Sequence, residues 1–325
     1  MSDYVIGVDL GGTRLRSALM DDDLGILFRQ EVLTQAEQGF DATYARLVAA
    51  IRAVWPETNV PVRGIGISIP GPTNPFTGVV ELGTNLAGWH GIGLARLLKD
   101  EFGVPVFLGN DANVAALAEG ARGAAVNYRH IVFVTVSTGI GGGIIVDGRM
   151  LLGEQGLAAE VGHMVMIVDD QVSTLEKEAA GPALARKARA RIEAGAISRM
   201  HDMVNGDLAK ITGKVVGMAA NDGDPLAREI VSRAGFVLGC GMVSLLHTFN
   251  PEILVFGGGV STIGPLLFDP MREAIQKYCI DDAYWKTLRI ERAALGENVS
   301  IVGAGALVIT RGGVEDLSAA RARLE

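Results

Sequence analysis

Short apolar runs closed by glycine recur along the chain, and their spacing predicts most of its elements. Val5-Ile6-Gly7-Val8-Asp9-Leu10 is stopped by Gly11-Gly12-Thr13. Beyond that stop, Leu15, Ser17, Leu19 and Met20 roughly alternate until Asp21-Asp22-Asp23-Leu24-Gly25 breaks the pattern, and a further strand covers residues 26–32. Alternation punctuated by glycine predicts hairpinned strands with a Gly-rich first turn. A dinucleotide-binding fold would instead need strand, turn and then helix. Leu47, Val48, Ile51 and Val54 fall at helical spacing within 41–54, and Pro56 ends that stretch. Residues 65–69 form the next strand, stopped by Pro70-Gly71-Pro72. Residues 91–101 read as an amphipathic helix with Leu94, Leu97 and Leu98 inward. A strand at 104–108 then delivers Gly109-Asn110-Asp111, and a helix over 112–120 begins immediately behind that acid. Strands alternating with helices predict an α/β fold with a mostly parallel, helix-flanked sheet.

Near residue 125 the cycle restarts. Ile131-Val132-Phe133-Val134-Thr135-Val136 is a buried strand, followed by Ser137-Thr138-Gly139-Ile140-Gly141-Gly142-Gly143 and a second strand at 144–146. Strand, Gly-rich turn and strand thus occur twice, at 5–20 and 131–146, which predicts two related domains facing each other across a central cleft. The expected division is 1–112, completed by a C-terminal helix over 304–325, and 113–303. From 177 to 250 the pattern is helical with glycine breaks. Ile253-Leu254-Val255-Phe256 is another buried strand, ending in Gly257-Gly258-Gly259, and Ser300–Val308 reads as a turn into a closing helix.

The 325 residues suffice for two cores, and 43 glycines without a repeating period point to tight turns and close backbone approaches. A formal charge of −8 argues against a nucleic-acid surface. The one basic run, Arg186-Lys187-Ala188-Arg189-Ala190-Arg191, reads first as the solvated side of a helix and second as a contributor to assembly or phosphate attraction. Two cysteines, Cys240 and Cys279, are too few for a disulfide framework or a cysteine-rich metal site. No leader pattern or uninterrupted apolar stretch of spanning length stands out, so a cytoplasmic protein with no membrane partner is expected.

Each of the three Gly-rich turns follows an apolar strand, where adjacent amides can cradle anions and glycine admits phosphate oxygens to the backbone. Each alone reads first as an ordinary turn; together, with Thr13 and Thr138 beside two of them, they fit a polyphosphate cradle better. None is a Walker A loop, since no Gly-Lys-Ser/Thr follows. Asp9 would orient a magnesium-bound water while Gly11, Gly12, Thr13 and Arg14 approach phosphate. Thr138 and Gly139 would contact the transferring phosphoryl group, and Gly257 and Gly258 the adenosine. Asp111 lies where a buried strand becomes a helix, and either caps that helix or serves as a general base. Glu160 and His163 are three apart and suit neighbouring sugar hydroxyls as acceptor and donor. Asn85 and Glu176 are further polyhydroxyl partners, and Trp89 reads as core or cleft wall.

The combination of Asp9–Thr13, Ile69-Pro70-Gly71-Pro72, Asn85–Trp89, Gly109–Asn113, Ser137–Gly143, Glu160-Val161-Gly162-His163 and Gly303-Ala304-Gly305-Ala306 resembles the ROK family along nearly the whole chain. That family holds bacterial glucokinases, other hexose and N-acetylhexosamine kinases, and sugar-responsive repressors, on the actin/hexokinase-like (ribonuclease H-like) ATPase fold. The resemblance implies ATP and Mg²⁺ as cofactors, Asp111 as catalytic base, and Asn85, Asn110, Glu160, His163 and Glu176 as holders of sugar hydroxyls. It places Gly71 close to the sugar through its backbone, and implies a homodimer or homotetramer. Many members carry a structural zinc on the His of Glu-x-Gly-His and three Cys in a short loop. Here 164–174 contains no Cys, so no structural zinc is expected. The expected function is ATP-dependent phosphorylation at O6 of glucose or a close relative. Mannose, fructose, N-acetylglucosamine, N-acetylmannosamine or inositol, or a polyphosphate donor, are the alternatives. A sugar-responsive regulator would need a DNA-binding domain before the first strand.

Overall fold

The structure, a computed structural model, describes residues 3–57 and 60–322. The opening pattern becomes β1 (Tyr4–Leu10), β2 (Arg14–Met20) and β3 (Ile26–Leu33), followed by α1 (Phe40–Ala53) and β4 (Val62–Ile69). Three short strands follow, β5 (Thr73–Asn74), β6 (Val79–Leu82) and β7 (His90–Ile92), then α2 (Leu94–Phe102), β8 (Val106–Asn110) and α3 (Asp111–Arg122). The second cycle gives β9 (Ile131–Val136), β10 (Ile140–Val146) and β11 (Arg149–Met150), then the hairpin β12 (Val165–Val168) and β13 (Gln171–Thr174). Helices α4 (Leu175–Ala179), α5 (Gly181–Glu193), α6 (Arg199–Met203), α7 (Gly213–Asn221) and α8 (Pro225–Phe249) precede β14 (Ile253–Gly257). The chain ends with α9 (Pro265–Tyr278), β15 (Arg289–Arg292), α10 (Val299–Ile309) and α11 (Leu317–Ala322). One sheet has the order β3-β2-β1-β4-β8 and a second β11-β10-β9-β14-β15. The fold is the α/β, actin/hexokinase-like one expected.

Two compact units result, Met1–Ile131 with Gly143–Ala159 and Ala293–Glu325, and Val132–Gly142 with Glu160–Arg292. The boundary read at 112/113 falls at the head of α3, which packs with α10 in the first unit.

In the first unit, one face of the sheet follows the period of two. Ile6, Val8 and Leu10 of β1 and Ile65, Ile67 and Ile69 of β4 share a core with Leu47, Ile51, Leu94 and Leu98. Burying each such side chain is worth ~1.5–3 kcal/mol. Trp89 belongs to this core, edge-on to Phe40. Leu97, expected inward, is 39% exposed: α2 starts only at Leu94, and Leu94 and Leu98 are the pair it buries. On the opposite face, Gly7 of β1 and Gly64 and Gly66 of β4 leave room for close approach. A Cβ on Gly66 would collide with the Ala304 backbone, and one on Gly7 would come within 2.6 Å of the Ile301 carbonyl oxygen. Residues 300–308 are therefore not a turn leading into a helix. Val299–Ile309 is one unbroken helix whose glycines let it lie directly on the sheet.

In the second unit, α8 packs along α9 by the same device, with Gly239 facing the Met271 carbonyl at 2.5 Å for an added Cβ. By length and composition α8 could cross a membrane, but 61% of its apolar window is buried within the protein, as in a core helix. Residues 164–174, where the family's cysteine loop was sought, form the β12–β13 hairpin. Asp169 and Asp170 both have positive φ at its tip, the conformation that closes two-residue hairpins.

Candidate active site

Strands β1, β4 and β8 run parallel and end side by side, with Asp9 in register with Ser68 and Ser68 with Gly109. Asp9, Gly71, Asn110 and Asp111 thereby collect at the carboxyl edge of the sheet, the ligand position in open α/β sheets. The turn leaving β1 is fixed by its own backbone and by Thr34. Gly11 N–H donates to the Arg14 carbonyl at 2.9 Å, Thr34 Oγ1 donates to the Gly11 carbonyl at 2.6 Å, and Thr34 N–H donates to the Thr13 carbonyl at 2.9 Å. Gly12 abuts Asn85: a Cβ there would stand 2.9 Å from both the Cβ and the carbonyl oxygen of Asn85. Asn85 itself has φ 62°, a left-handed conformation that asparagine tolerates. Gly71, at φ 100°, fits against Thr84, whose N–H donates to the Pro70 carbonyl at 3.0 Å.

The sequence left open whether Asp111 caps its helix, and the structure resolves this. Asn110 is the N-cap, its Oδ1 accepting the Asn113 N–H at 2.8 Å. Asp111 is the first residue inside α3 and, among the described residues, accepts only local backbone N–H groups, including Ala112 at 2.9 Å. Solvent reaches its side chain, yet surrounding protein limits hydration, and this raises its pKa from 3.8 against the lowering effect of those N–H groups. Asp9 is also raised, first by burial; Arg16 opposes the shift and the Asp111 charge adds to it. Arg16 lies across the β1–β2 ladder with Nε 3.7 Å from Asp9 and 3.4 Å from Glu31. Arg14, expected near phosphate, is exposed and pairs with Glu31 at 2.9 Å.

In the second unit the Ser137–Gly139 turn is equally fixed. Ser137 N–H donates to the Gly139 carbonyl at 2.8 Å, and Gly181 N–H, at the start of α5, donates to the Ser137 carbonyl at 2.8 Å. Glu176 Oε2 accepts the Ile140 N–H at 2.8 Å and would lie 2.6 Å from a Cβ on Gly139, so this acid braces the turn. Thr138 is exposed beside it. Gly258 has φ 83°, and a Cβ there would collide with the Val136 backbone; Gly257 is the buried last residue of β14. Glu160 and His163 flank a single 3₁₀ turn, His163 N–H donating to the Glu160 carbonyl at 3.0 Å, and both side chains are exposed.

Between the Ser137 turn, α5, α7 and the segment after β14 lies a cavity of about 710 Å³. Thr138, Gly181 and Gly259 line it near the turns, and Ala185, Ile211 and Met218 supply apolar wall. Of this lining the sequence pointed to Thr138 and to Gly259 in the Gly257–Gly259 turn, but not to Gly181, to α7 or to Arg189, since the basic run was read first as solvated.

The first unit thus offers a fixed Gly-rich turn and an acid at its sheet edge, and the second a fixed turn beside a cavity of about 710 Å³, features that suit binding of a phosphorylated nucleotide and a small polar molecule. The chain belongs to the ROK family, whose sequence model matches residues 5–311. It is 34% identical over 313 residues to a glucokinase of Thermotoga maritima, covering 94% of this chain and 98% of that protein. It is similar in structure to the ROK hexokinase of Thermus thermophilus, at TM-score 0.77 and 32% identity over 93% of this chain and 97% of that one. It also matches a ROK glucokinase of Streptomyces griseus solved with glucose and AMPPNP, at TM-score 0.74 and 30% identity over 94% and 98%. The chain is an ATP-dependent sugar kinase.

Proposed function

We propose that this kinase transfers the γ-phosphate of ATP to O6 of glucose or a closely related hexose, with Asp111 as general base. The observation that carries the reading is Asp111 itself: Asn110 caps α3, so the acid beside it keeps acceptor capacity at the carboxyl edge. In the reaction the sugar hydroxyl gives its proton to the Asp111 carboxylate as its oxygen bonds the γ-phosphorus. The bond from that phosphorus to the bridging oxygen breaks, and ADP leaves. Such transfer depends mainly on positioning and charge neutralisation, so a moderately raised carboxylate pKa suffices.

Gly11, Gly12, Thr13, Arg14, Thr138 and Gly139 would surround the phosphates, and Gly257 and Gly258 the adenosine. Asn85, Asn110, Glu160, His163 and Glu176 would hold sugar hydroxyls, with Gly71 close through its backbone. Contact between Gly12 and Asn85 supports a phosphate turn adjacent to the sugar. Asp9, a hard oxygen donor beside the turn, fits a hydrated Mg²⁺, which binds proteins through one or two carboxylates and keeps several waters. When bound with the nucleotide, Mg²⁺ supplies charge neutralisation at the phosphates. The apolar stretches of the cavity favour a nucleotide over bare polyphosphate. Glucose is proposed because the relatives named above are glucokinases and a hexokinase, and a homodimer or homotetramer because the family often assembles so.

An ADP-release screen with Mg²⁺ across glucose, mannose, fructose, N-acetylglucosamine, N-acetylmannosamine and inositol tests the substrate. Highest kcat/KM on glucose, with the product phosphorylated at O6 by NMR, is expected. Preference for an N-acetylhexosamine or a cyclitol would overturn the glucose assignment.

A further inference from the structure

The basic run on α5 contains one cation that local pairing does not use. Arg186 donates to the Lys177 carbonyl at 2.7 Å, Lys187 pairs with Glu178 at 2.7 Å, and Arg191 pairs with Glu229 at 2.6 Å. Arg189, half-buried, lines the 710 Å³ cavity and has no hydrogen-bond or ion-pair partner among the described residues. Lys214 on α7 is the cavity's other lining cation and is likewise unpaired there.

Their position along the cavity sets what they can reach. Helix α5 begins at Gly181, joined by a hydrogen bond to Ser137 in the phosphate-type turn. Arg189 is eight residues further on, ~12 Å along the helix axis at 1.5 Å per residue. A phosphate held at Thr138 is therefore distant from Arg189, and the wall between is apolar at Pro182 and Ala185. Apolar wall suits the face of a base. Guanidinium and ammonium groups only donate, and purine ring nitrogens and ribose oxygens accept.

We infer that Arg189 is a donor-specificity residue that holds the base and ribose end of the nucleotide, whereas Lys214 follows Gly213, which packs on Gly181 at the phosphate-type turn. This rests on the reading of Thr138 and Gly139 as phosphate contacts. An unpaired cation in this wall gives affinity to a nucleoside polyphosphate that a bare phosphate chain of the same length cannot gain.

The test measures calorimetric binding of ADP, ATP and inorganic tripolyphosphate to the full chain, with sugar KM and kcat alongside. The proteins are the parent, Arg189→Ala, Thr138→Ala and the control Arg186→Ala, which removes the same charge from the same helix as Arg189→Ala. Arg189→Ala is expected to weaken ADP and ATP about tenfold, the loss of one charge-assisted hydrogen bond. Tripolyphosphate binding and sugar KM should stay within about twofold, and Arg186→Ala should match the parent throughout. Unchanged nucleotide binding in Arg189→Ala would overturn the inference. So would equal weakening of nucleotide and tripolyphosphate by Arg189→Ala, which would make this cation a phosphate ligand. If Thr138→Ala left nucleotide binding intact while Arg189→Ala weakened it, the phosphate-contact reading would fall instead.

Discussion

Helix α3 carries two acids eight residues apart, and they live in opposite circumstances. Glu119 is fully buried, and its two oxygens accept the N–H groups of Ala124, Ala294 and Leu295 at 2.7 to 3.1 Å. Asp111 is open to solvent and, among the described residues, accepts only from the turn it begins. Glu119 is the more buried, yet every strong lone-pair direction it offers is taken by backbone that would otherwise be orphaned. Asp111 is poorly hydrated without being used up. Depth alone does not mark a reactive acid; spare accepting capacity in a crowded, reachable place does.

Three experiments sharpen that contrast. The largest effect is expected from Asp111→Ala, a fall in kcat of about a thousandfold, the usual scale of general-base loss. Its circular dichroism and sugar affinity should remain close to those of the parent. Turnover within tenfold of the parent would remove Asp111 from the chemistry. Next is Glu119→Ala, which takes the acceptor from three part-buried N–H donors and should cost ~3 kcal/mol in urea unfolding. The kcat of the folded fraction should be unchanged; a kcat loss without a stability loss would reverse the roles assigned to the two acids.

The smallest effect concerns stability against pH. Burial raises Asp111 above its ordinary value of 3.8, so the folded state disfavours its ionised form. Ionisation therefore weakens the fold as pH rises through the window between the ordinary and the raised value. Asp111→Asn should melt slightly higher than the parent above that window, with the difference fading as pH falls to 3.8. The same raised pKa puts the acid limb of kcat/KM above 3.8 in the parent. A melting difference that is constant with pH would mean that the gain has some other origin.

Much of the fold was legible because its strands obey a period of two and stop within two residues of a glycine, as β1, β4 and β8 all do. The Gly303-Ala304-Gly305 segment was misread for the same reason. Glycine signals a turn when only local chain is considered, but here it removes side chains where α10 meets the backbones of β1, β4 and α3. That demand comes from residues about 190 to 290 positions away. At the site, Asp111 and the turns announced themselves by position after apolar strands. The capping role of Asn110 was not separable from that of its neighbour, since either residue type can cap. Glu176 was read as a polyhydroxyl partner, and its hydrogen bond to Ile140 depends on how α4 meets β10, which no spacing encodes. Arg189 was hidden because four cations at similar spacing look alike until each finds, or fails to find, a carboxylate or carbonyl.

Thr34 grips the first turn from both shoulders, through its hydroxyl to Gly11 and its amide to Thr13. A loop held in this way has already surrendered its freedom during folding, so a ligand arriving there need not organise it anew. Such a turn behaves as an anvil and not as a hand. It can favour one geometry of incoming group strongly, but it has little room to adapt to another, and broadening the range of accepted molecules by evolution would have to begin by loosening that threonine.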